Sequence, residues 1–123
     1  MQIFDVASRH MQWLAFRQEV TASNIANANT PGYRSRDVAG FEDAMAASPM
    51  GLTTTNAAHQ QSVSADLRNG VLTNSGGWDR SYSGNDVTLE NEMIKAGETS
   101  RMMSLDSGLT RTFHRMIMSS LKV

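Results

Sequence analysis

The chain has 123 residues, the length of a single domain, and a formal net charge of −1. So balanced a charge gives no general attraction for nucleic acid or an acidic membrane surface, and the absence of cysteine excludes disulfides, thiolate catalysis and cysteine-ligated zinc. No stretch reaches the roughly 18 apolar residues of a membrane span, and charged residues interrupt the N-terminal segment where a cleaved signal peptide would be apolar.

A long helix is predicted for the N-terminal segment, residues 1–29. Glycine and proline are absent from position 2 to position 28, and apolar or small residues recur at three- and four-residue steps. These residues are Ile3, Ala7, Met11, Leu14, Thr21 or Ala22, and Ile25. A second, shorter stripe consists of Trp13, Phe16 and Val20. Because the helix has apolar groups on two adjoining faces, we expect it to have more than one packing neighbour.

The residues that follow carry clear signals for the end of this helix. Pro31 disfavours the helical region for the residue before it, and Pro31-Gly32 fits the centre of a type II turn. We therefore expect the helix to end near Ala28 or Asn29.

Asparagines recur near the end of the helix, in alternation with alanines. We expect Asn24 and Asn27 to lie close together on the helix surface, where their amides can satisfy free backbone groups of adjacent helices. The alternative is that these asparagines only end the helix and lead into the turn. The sequence alone leaves both interpretations open.

The middle segment, residues 30–85, is predicted to be irregular and rich in loops. Serine, threonine, asparagine and glycine dominate it, and Asn69-Gly70 is a turn signal. At most, we expect a short helix at 41–47 (FEDAMAA) and a short β piece such as 70–73 (GVLT).

Helical periodicity returns in the C-terminal segment, residues 86–123. The 4-3 spacing of a heptad repeat is kept by Leu89, Met93, Ala96, Ser100, Met103, Ser107, Thr110, His114, Ile117 and Leu121. Beside it runs a second stripe of Met102, Leu105, Leu109, Phe113 and Met116. Thr88 is the expected N-cap, and charged residues are expected to complement the helix dipole at both ends. They are Glu90 and Glu92 in the first turn and Arg111, Arg115 and Lys122 towards the C-terminus.

The sequence therefore predicts a mainly α fold, in which the long terminal helices pair as an α-helical coiled coil and the middle is loop-rich. A row of small residues on the C-terminal helix permits the close approach of another helix. This row consists of Ala96, Ser100, Ser104, Gly108 and Thr112. Because fixing the backbone costs about 1 kcal/mol or more per residue, a hairpin of two helices is marginal alone. We expect neighbouring subunits to cover the second stripes.

No constellation of catalytic residues is evident, and we expect no enzyme activity, cofactor or metal. His10, His59 and His114 are far apart, and His114 falls on a heptad position that is typical of a packed or interfacial residue. Glu90 and Glu92 point to different faces of a helix, which favours dipole complementation over the chemistry of paired carboxylates.

The most basic cluster, Arg34 and Arg36, flanks the turn. Two arginines are too few for a nucleic-acid interface, so no nucleic acid is expected as a partner. With Asp37, they are expected to make polar contacts between subunits.

Three strings of the sequence resemble a known family. RQEVTASNIANANTPGYRSRDV (17–38) is similar to the N-terminal signature of the bacterial flagellar axial proteins, which form the rod and hook. TTTNAAH (53–59) and GNDVTLENEM (84–93) resemble further stretches of proximal-rod members. The resemblance implies terminal helices stacked helically around a hollow core. It implies a structural subunit of the proximal rod that forms part of the drive shaft and of the central export channel.

The resemblance also implies a location and a set of partners. The chain would be exported through the flagellar type III apparatus without a cleaved signal peptide, to the periplasmic rod of the basal body. Its partners would be further copies of itself, rod subunits of the FlgC type, the adaptor FliE with the membrane-ring base, and the export apparatus. Direct membrane insertion is not expected. The alternatives are another rod subunit of the same family, such as the FlgC type, or a small helical enzyme or adaptor domain.

The residues expected at subunit interfaces come from the N-terminal helix, the turn and the two stripes of the C-terminal helix. They are Leu14, Asn24, Ile25, Asn27, Pro31, Gly32, Tyr33, Arg34, Arg36, Asp37, Leu89, Met93, Ser100, Met103, Ser104, Leu105, Gly108, Leu109, Phe113, Met116 and Ile117.

Overall fold

The computed structural model describes residues 2–46, 72–74 and 82–121. Its elements in chain order are helix α1 (Gln2–Ala26), strand β1 (Arg36–Val38), helix α2 (Phe41–Ala46), strand β2 (Leu72–Asn74) and helix α3 (Leu89–Ser120). The prediction of a mainly helical fold with long terminal helices is confirmed. The expectations for His59, Asn69-Gly70 and Lys122 concern positions outside the described residues.

Helices α1 and α3 lie side by side and antiparallel. Asn24, near the end of α1, meets Glu92, near the start of α3. His10, in the first half of α1, meets Asp106 in the same register. With 25 and 32 residues, the helices are about 37 and 48 Å long. In this register the start of α1 lies beside His114, and the last turns of α3 extend past it.

The face of α3 that packs on α1 is only partly the predicted one. Its least exposed positions keep a 4-3 spacing, and they are Glu92, Ala96, Thr99, Met103, Asp106, Thr110, Phe113 and Ile117. Leu89 and Met93, which the predicted heptad places in the seam, are exposed instead. The prediction was wrong at these positions because polar side chains enter the seam with hydrogen-bond partners. Glu92 and Asp106 bond to α1, and the hydroxyl of Thr99 donates to a backbone carbonyl.

The second apolar face of α1 is covered by residues 36–46 of the same chain. The buried core consists of Trp13, Leu14, Val20, Val38 and Ala44, with Phe16, Phe41 and Met103 at its edge. The indole of Trp13 donates to the carbonyl of Ala39 at 3.0 Å and meets the ring of Phe41 at a centroid distance of 5.9 Å. The predicted packing neighbours of α1 are therefore α3 and this segment.

The chain reverses immediately after α1. The helix ends at Ala26, slightly before the predicted position. Gly32 has a φ of +73°, and the backbone N–H of Tyr33 donates to the carbonyl of Thr30 at 3.2 Å, which confirms a type II turn. Strand β1 then pairs antiparallel with β2. Strand β2 overlaps the predicted GVLT piece, whereas β1 was not assigned from the sequence. The predicted short helix is confirmed as α2.

The ends of α3 differ from each other in how they are stabilised. Thr88 is the N-cap in an extended conformation, as predicted, but its hydroxyl makes no capping hydrogen bond. Glu90 and Glu92 lie in the first turn, whereas the last turn contains no basic residue. The expected charge complement at the C-terminal end of α3 is therefore wrong for the described residues. None of the helices in the described ranges combines the length and apolar character needed to cross a membrane.

Candidate functional site

A polar network joins the two long helices and the turn where they meet. We define this junction network as Asn24, Tyr33, Asp37, Asn85, Asp86, Glu92 and Lys95. Its members come from the two sequence strings 17–38 and 84–93, together with Lys95 shortly after. The structure thus brings into contact two strings that are far apart along the chain.

Asn24 is the centre of the junction network and is completely buried. Its amide nitrogen donates to the carbonyl of Arg36 at 2.6 Å and to Oε2 of Glu92 at 3.0 Å. Its amide oxygen accepts from the backbone N–H of Arg36 at 3.1 Å and from the hydroxyl of Tyr33 at 3.2 Å. All the hydrogen-bonding capacity of the amide is therefore used within the chain.

A cation lies between two carboxylates beside Asn24. The ammonium of Lys95 is 2.9 Å from Oδ2 of Asp37 and 3.1 Å from Oε1 of the buried Glu92. Burial acts to lower the pKa of Lys95, but its hydrogen bonds and charge interactions with Asp37 and Glu92 outweigh this and raise the pKa above its usual value. Glu92 lies in the first turn of α3, as expected, but its carboxylate is also buried against α1, which the sequence did not predict.

Asn85 and Asp86 connect the segment before α3 to the turn that follows α1. The amide nitrogen of Asn85 lies 2.8–2.9 Å from the carbonyls of Asn27, Ala28 and Thr30 and donates to them, so it binds the turn that follows α1. The carboxylate of Asp86 accepts the backbone N–H of Ser35 at 2.5 Å. Both side chains are buried.

The geometry of the junction network serves positioning. Each carboxylate within it accepts a hydrogen bond or lies beside the ammonium of Lys95. Since Asn24 and Glu92 are buried, sliding one helix along the other would break their hydrogen bond away from water. Among the described residues, no group of three or more metal-ligating side chains has the arrangement to hold a metal ion.

The face of α3 next to the seam carries large apolar side chains that are exposed. We call Met102, Leu105, Leu109 and Met116 the outer stripe. Leu105 and Leu109 are 64% and 55% exposed. Phe113, which the sequence placed in the same stripe, is half-buried in the seam with α1. An exposed row of this kind is typical of a surface that another protein chain covers.

The structure sorts the predicted interface residues by exposure. Leu14 and Asn24 are fully buried, so an interface role for them acts through the residues they hold in place. Half-buried are Ile25, Asn27, Tyr33, Asp37, Met103, Phe113 and Ile117. Exposed are Pro31, Gly32, Arg34, Arg36, Leu89, Met93, Ser100, Ser104, Leu105, Gly108, Leu109 and Met116. Contacts with a neighbouring subunit remain a prediction for all of them.

The histidines have separate environments. Nδ1 of His10 donates to Oδ2 of Asp106 at 2.6 Å, and its ring stacks on Trp13. His114 is exposed on α3 rather than packed between the helices. Sequence reasoning missed the pair of His10 and Asp106, since 96 positions separate them along the chain.

A helical hairpin with a buried polar junction and an exposed apolar face is typical of a subunit of a larger protein assembly. Residues 4–34 match the family model described as flagella basal body rod protein. The chain is 41% identical to the flagellar basal body rod protein FlgB of Agrobacterium fabrum (strain C58) over 128 aligned residues, which cover 99% of this chain and 94% of that protein. The chain belongs to the flagellar basal body rod protein family, and it is a structural subunit of the flagellar rod.

A shorter similarity points to the same family. The chain is 46% identical over 52 residues to the flagellar basal body rod protein FlgB of Buchnera aphidicola subsp. Baizongia pistaciae (strain Bp). This alignment covers 37% of the chain and 38% of that protein.

Proposed function

We propose that the chain polymerises helically through α1 and α3 to build the proximal part of the rod, where it forms part of the drive shaft and of the wall of the central export channel. The observation that carries this proposal is the outer stripe. Its members follow one another at three-, four- and seven-residue steps, so they form one row along α3. All four side chains are at least 40% exposed.

The size of the uncovered side chains supports a protein neighbour. Burying apolar surface yields about 25 cal/mol per Å². Each exposed leucine or methionine would therefore favour association if a neighbouring subunit covered it. Gly108, which is also exposed, borders the outer stripe because it follows Leu105 by three residues. A Cβ added to Gly108 meets nothing within 4 Å, which leaves room for another helix to approach closely.

The turn supplies a second surface for assembly. Arg34 and Arg36 are exposed, whereas Asp37 is engaged by Lys95 within the chain. We therefore assign the predicted polar contacts between subunits to the two arginines. The proposed partners are further copies, rod subunits of the FlgC type, FliE at the membrane-ring base, and the type III apparatus that exports the chain into the periplasm.

The proposal is tested with the purified full chain and Leu105→Asp/Leu109→Asp. Because both leucines are exposed in the single chain, the variant keeps its helix content in circular dichroism. It loses association in sedimentation velocity over a range of concentrations, since assembly would bury two unpaired carboxylates. Tyr82→Asp, at a fully exposed turn residue, is the control.

Two outcomes contradict the proposal. One is a wild-type chain that remains a single, sharply melting molecule at every concentration. The other is a double variant that associates as the wild type does. In the bacterium, the same variant should be exported but fail to enter the rod, so its cells should not swim.

A further inference from the structure

An apolar groove lies at the free end of the helical hairpin, away from the junction network. Phe4 of α1 forms one wall, and Thr110, His114 and Met118 of α3 line the other side. Arg111 and Arg115, one turn apart on α3, stand at its edge and are exposed. The groove therefore combines an apolar floor with a cationic rim.

The positive charge of this rim is not neutralised by α3 itself. No acidic residue follows Asp106 along the helix, and Asp106 is bonded to His10. The nearby carboxylate of Asp5 on α1 is paired with Arg9 at 3.4 Å. The two arginines of the rim thus remain available to an acidic partner.

The other end of α3 presents the complementary surface, which we call the acidic knob. Met93 and Ile94 are 63% and 58% exposed. Glu90 and Glu98 lie one turn before and one turn after Ile94, and both are exposed. Two cations of α3 lie near these glutamates: Lys95 is held by Asp37 and Glu92, and Arg101 donates to the carbonyl of Gly97.

We propose that the groove of one copy receives the acidic knob of a second copy. Ile94 and Arg115 are about 30 Å apart along α3, so one molecule cannot join its own two surfaces. Met93 and Ile94 would enter beside Phe4 and Met118, while the glutamates face the arginines of the rim. A contact between different surfaces of two copies is of the kind that propagates into an open series.

This inference rests on the proposed function, because it assigns a second interface to the same assembly. It adds a polarity that the outer stripe does not provide, since the knob and the groove lie at opposite ends of each subunit. The charge pairs are at the surface, so association through them weakens as salt concentration rises.

A charge-swap experiment tests the contact. The groove variant is Arg111→Glu/Arg115→Glu, and the knob variant is Glu90→Arg/Glu98→Arg. Each variant alone places like charges at the contact and lowers the association constant by about tenfold or more in sedimentation equilibrium. An equimolar mixture regains the wild-type constant, because the acidic groove of one variant meets the basic knob of the other.

The controls separate this contact from the outer stripe. Both variants should keep the helix content of the wild type in circular dichroism. The milder Arg111→Gln/Arg115→Gln, which introduces no new charge, should weaken association less and reduce its dependence on salt. If the mixture is no better than the separate variants, the knob does not enter the groove. If, in addition, Leu105→Asp/Leu109→Asp still abolishes association, only this inference fails and the proposed function stands.

Discussion

The side-chain amide of Asn24 on α1 donates to Oε2 of Glu92 on α3 over 3.0 Å, and both residues are buried. The same amide holds both backbone groups of Arg36, at the start of β1. One side chain therefore sets the register of the helix pair and the path of the chain that follows the turn. Such a contact specifies an arrangement more than it adds stability, because moving it removes a hydrogen-bond partner from a buried carboxylate.

Replacement of Asn24 by alanine should strongly destabilise the chain. The substitution removes four hydrogen bonds and leaves the buried Glu92 with one partner fewer, and each buried group that loses its partner costs about 1–3 kcal/mol. Urea unfolding at low concentration, followed by circular dichroism, measures the loss. Asn29→Ala is the matched control, since Asn29 is exposed and should change stability by less than about 0.5 kcal/mol. Equal effects of the two variants would show that the Asn24 contacts do not hold the hairpin.

Features that depend on neighbouring residues in the chain were predicted well. The apolar periodicity predicted both long helices, and Pro31-Gly32 predicted the turn, since Gly32 adopts the positive φ that the turn requires. The short helix α2 also follows from local composition. In each case the cause of the structure lies within a few residues.

Features that depend on residues far apart in the sequence were not predicted. Glu92 was interpreted only as complementing the helix dipole, because nothing near it in sequence indicates that it will be buried with Asn24 and Lys95 as partners. The same holds for Asp106, which enters the seam with His10. A hydrophobic pattern counts such residues as exposed and therefore rotated the predicted face of α3. The sequence left open whether Asn24 bonds to adjacent helices or only ends its own helix. In the structure its amide bonds to other parts of the same chain.

Asn85 should be more sensitive to aspartate than to alanine. Asn85→Ala removes the donor that binds the turn after α1 and costs about 1–3 kcal/mol, because several carbonyls lose a partner. Asn85→Asp is nearly isosteric, yet it turns a donor into a charged acceptor that faces the same carbonyls, so we expect a larger loss. Urea midpoints rank the two variants, and hydrogen exchange of the amides of residues 24–33 locates the effect. If aspartate is tolerated as well as alanine, the hydrogen bonds from Asn85 to the turn contribute little to stability.

The stability of the chain should fall at alkaline pH because Lys95 loses its charge. Since the pKa of Lys95 is raised in the folded chain, its contribution is fully present below the pKa of an unfolded lysine, about 10.4. It is lost as the pH rises through the higher pKa of the folded state. The urea midpoint of the wild type should therefore be insensitive to this group between about pH 7 and pH 9 and decline above about pH 10.

The variant Lys95→Met isolates that contribution from other alkaline titrations. It leaves Glu92 and Asp37 without their cation, so it is less stable than the wild type at neutral pH. The difference between the two midpoints should narrow above about pH 10.4, because the wild-type ammonium is then lost as well. All other ionisable groups are the same in both proteins, so their contributions cancel in the difference. A difference that stays constant throughout this range would contradict the assigned pKa direction.

Replacement by alanine should lower the stability of the chain at Gly32 and raise it at Gly108. Gly32 has a φ of +73°, so Gly32→Ala costs about 1–2 kcal/mol in backbone strain, although the added Cβ meets nothing within 4 Å. Gly108 lies inside α3 with equally open surroundings, so Gly108→Ala should stabilise the single chain by up to about 1 kcal/mol. Gly32→Asn should recover part of the loss, because asparagine tolerates positive φ better than alanine. Urea midpoints of dilute chains give all three values. A stabilising Gly32→Ala would rule out the left-handed turn conformation, and the path of the chain from α1 into β1 depends on that conformation.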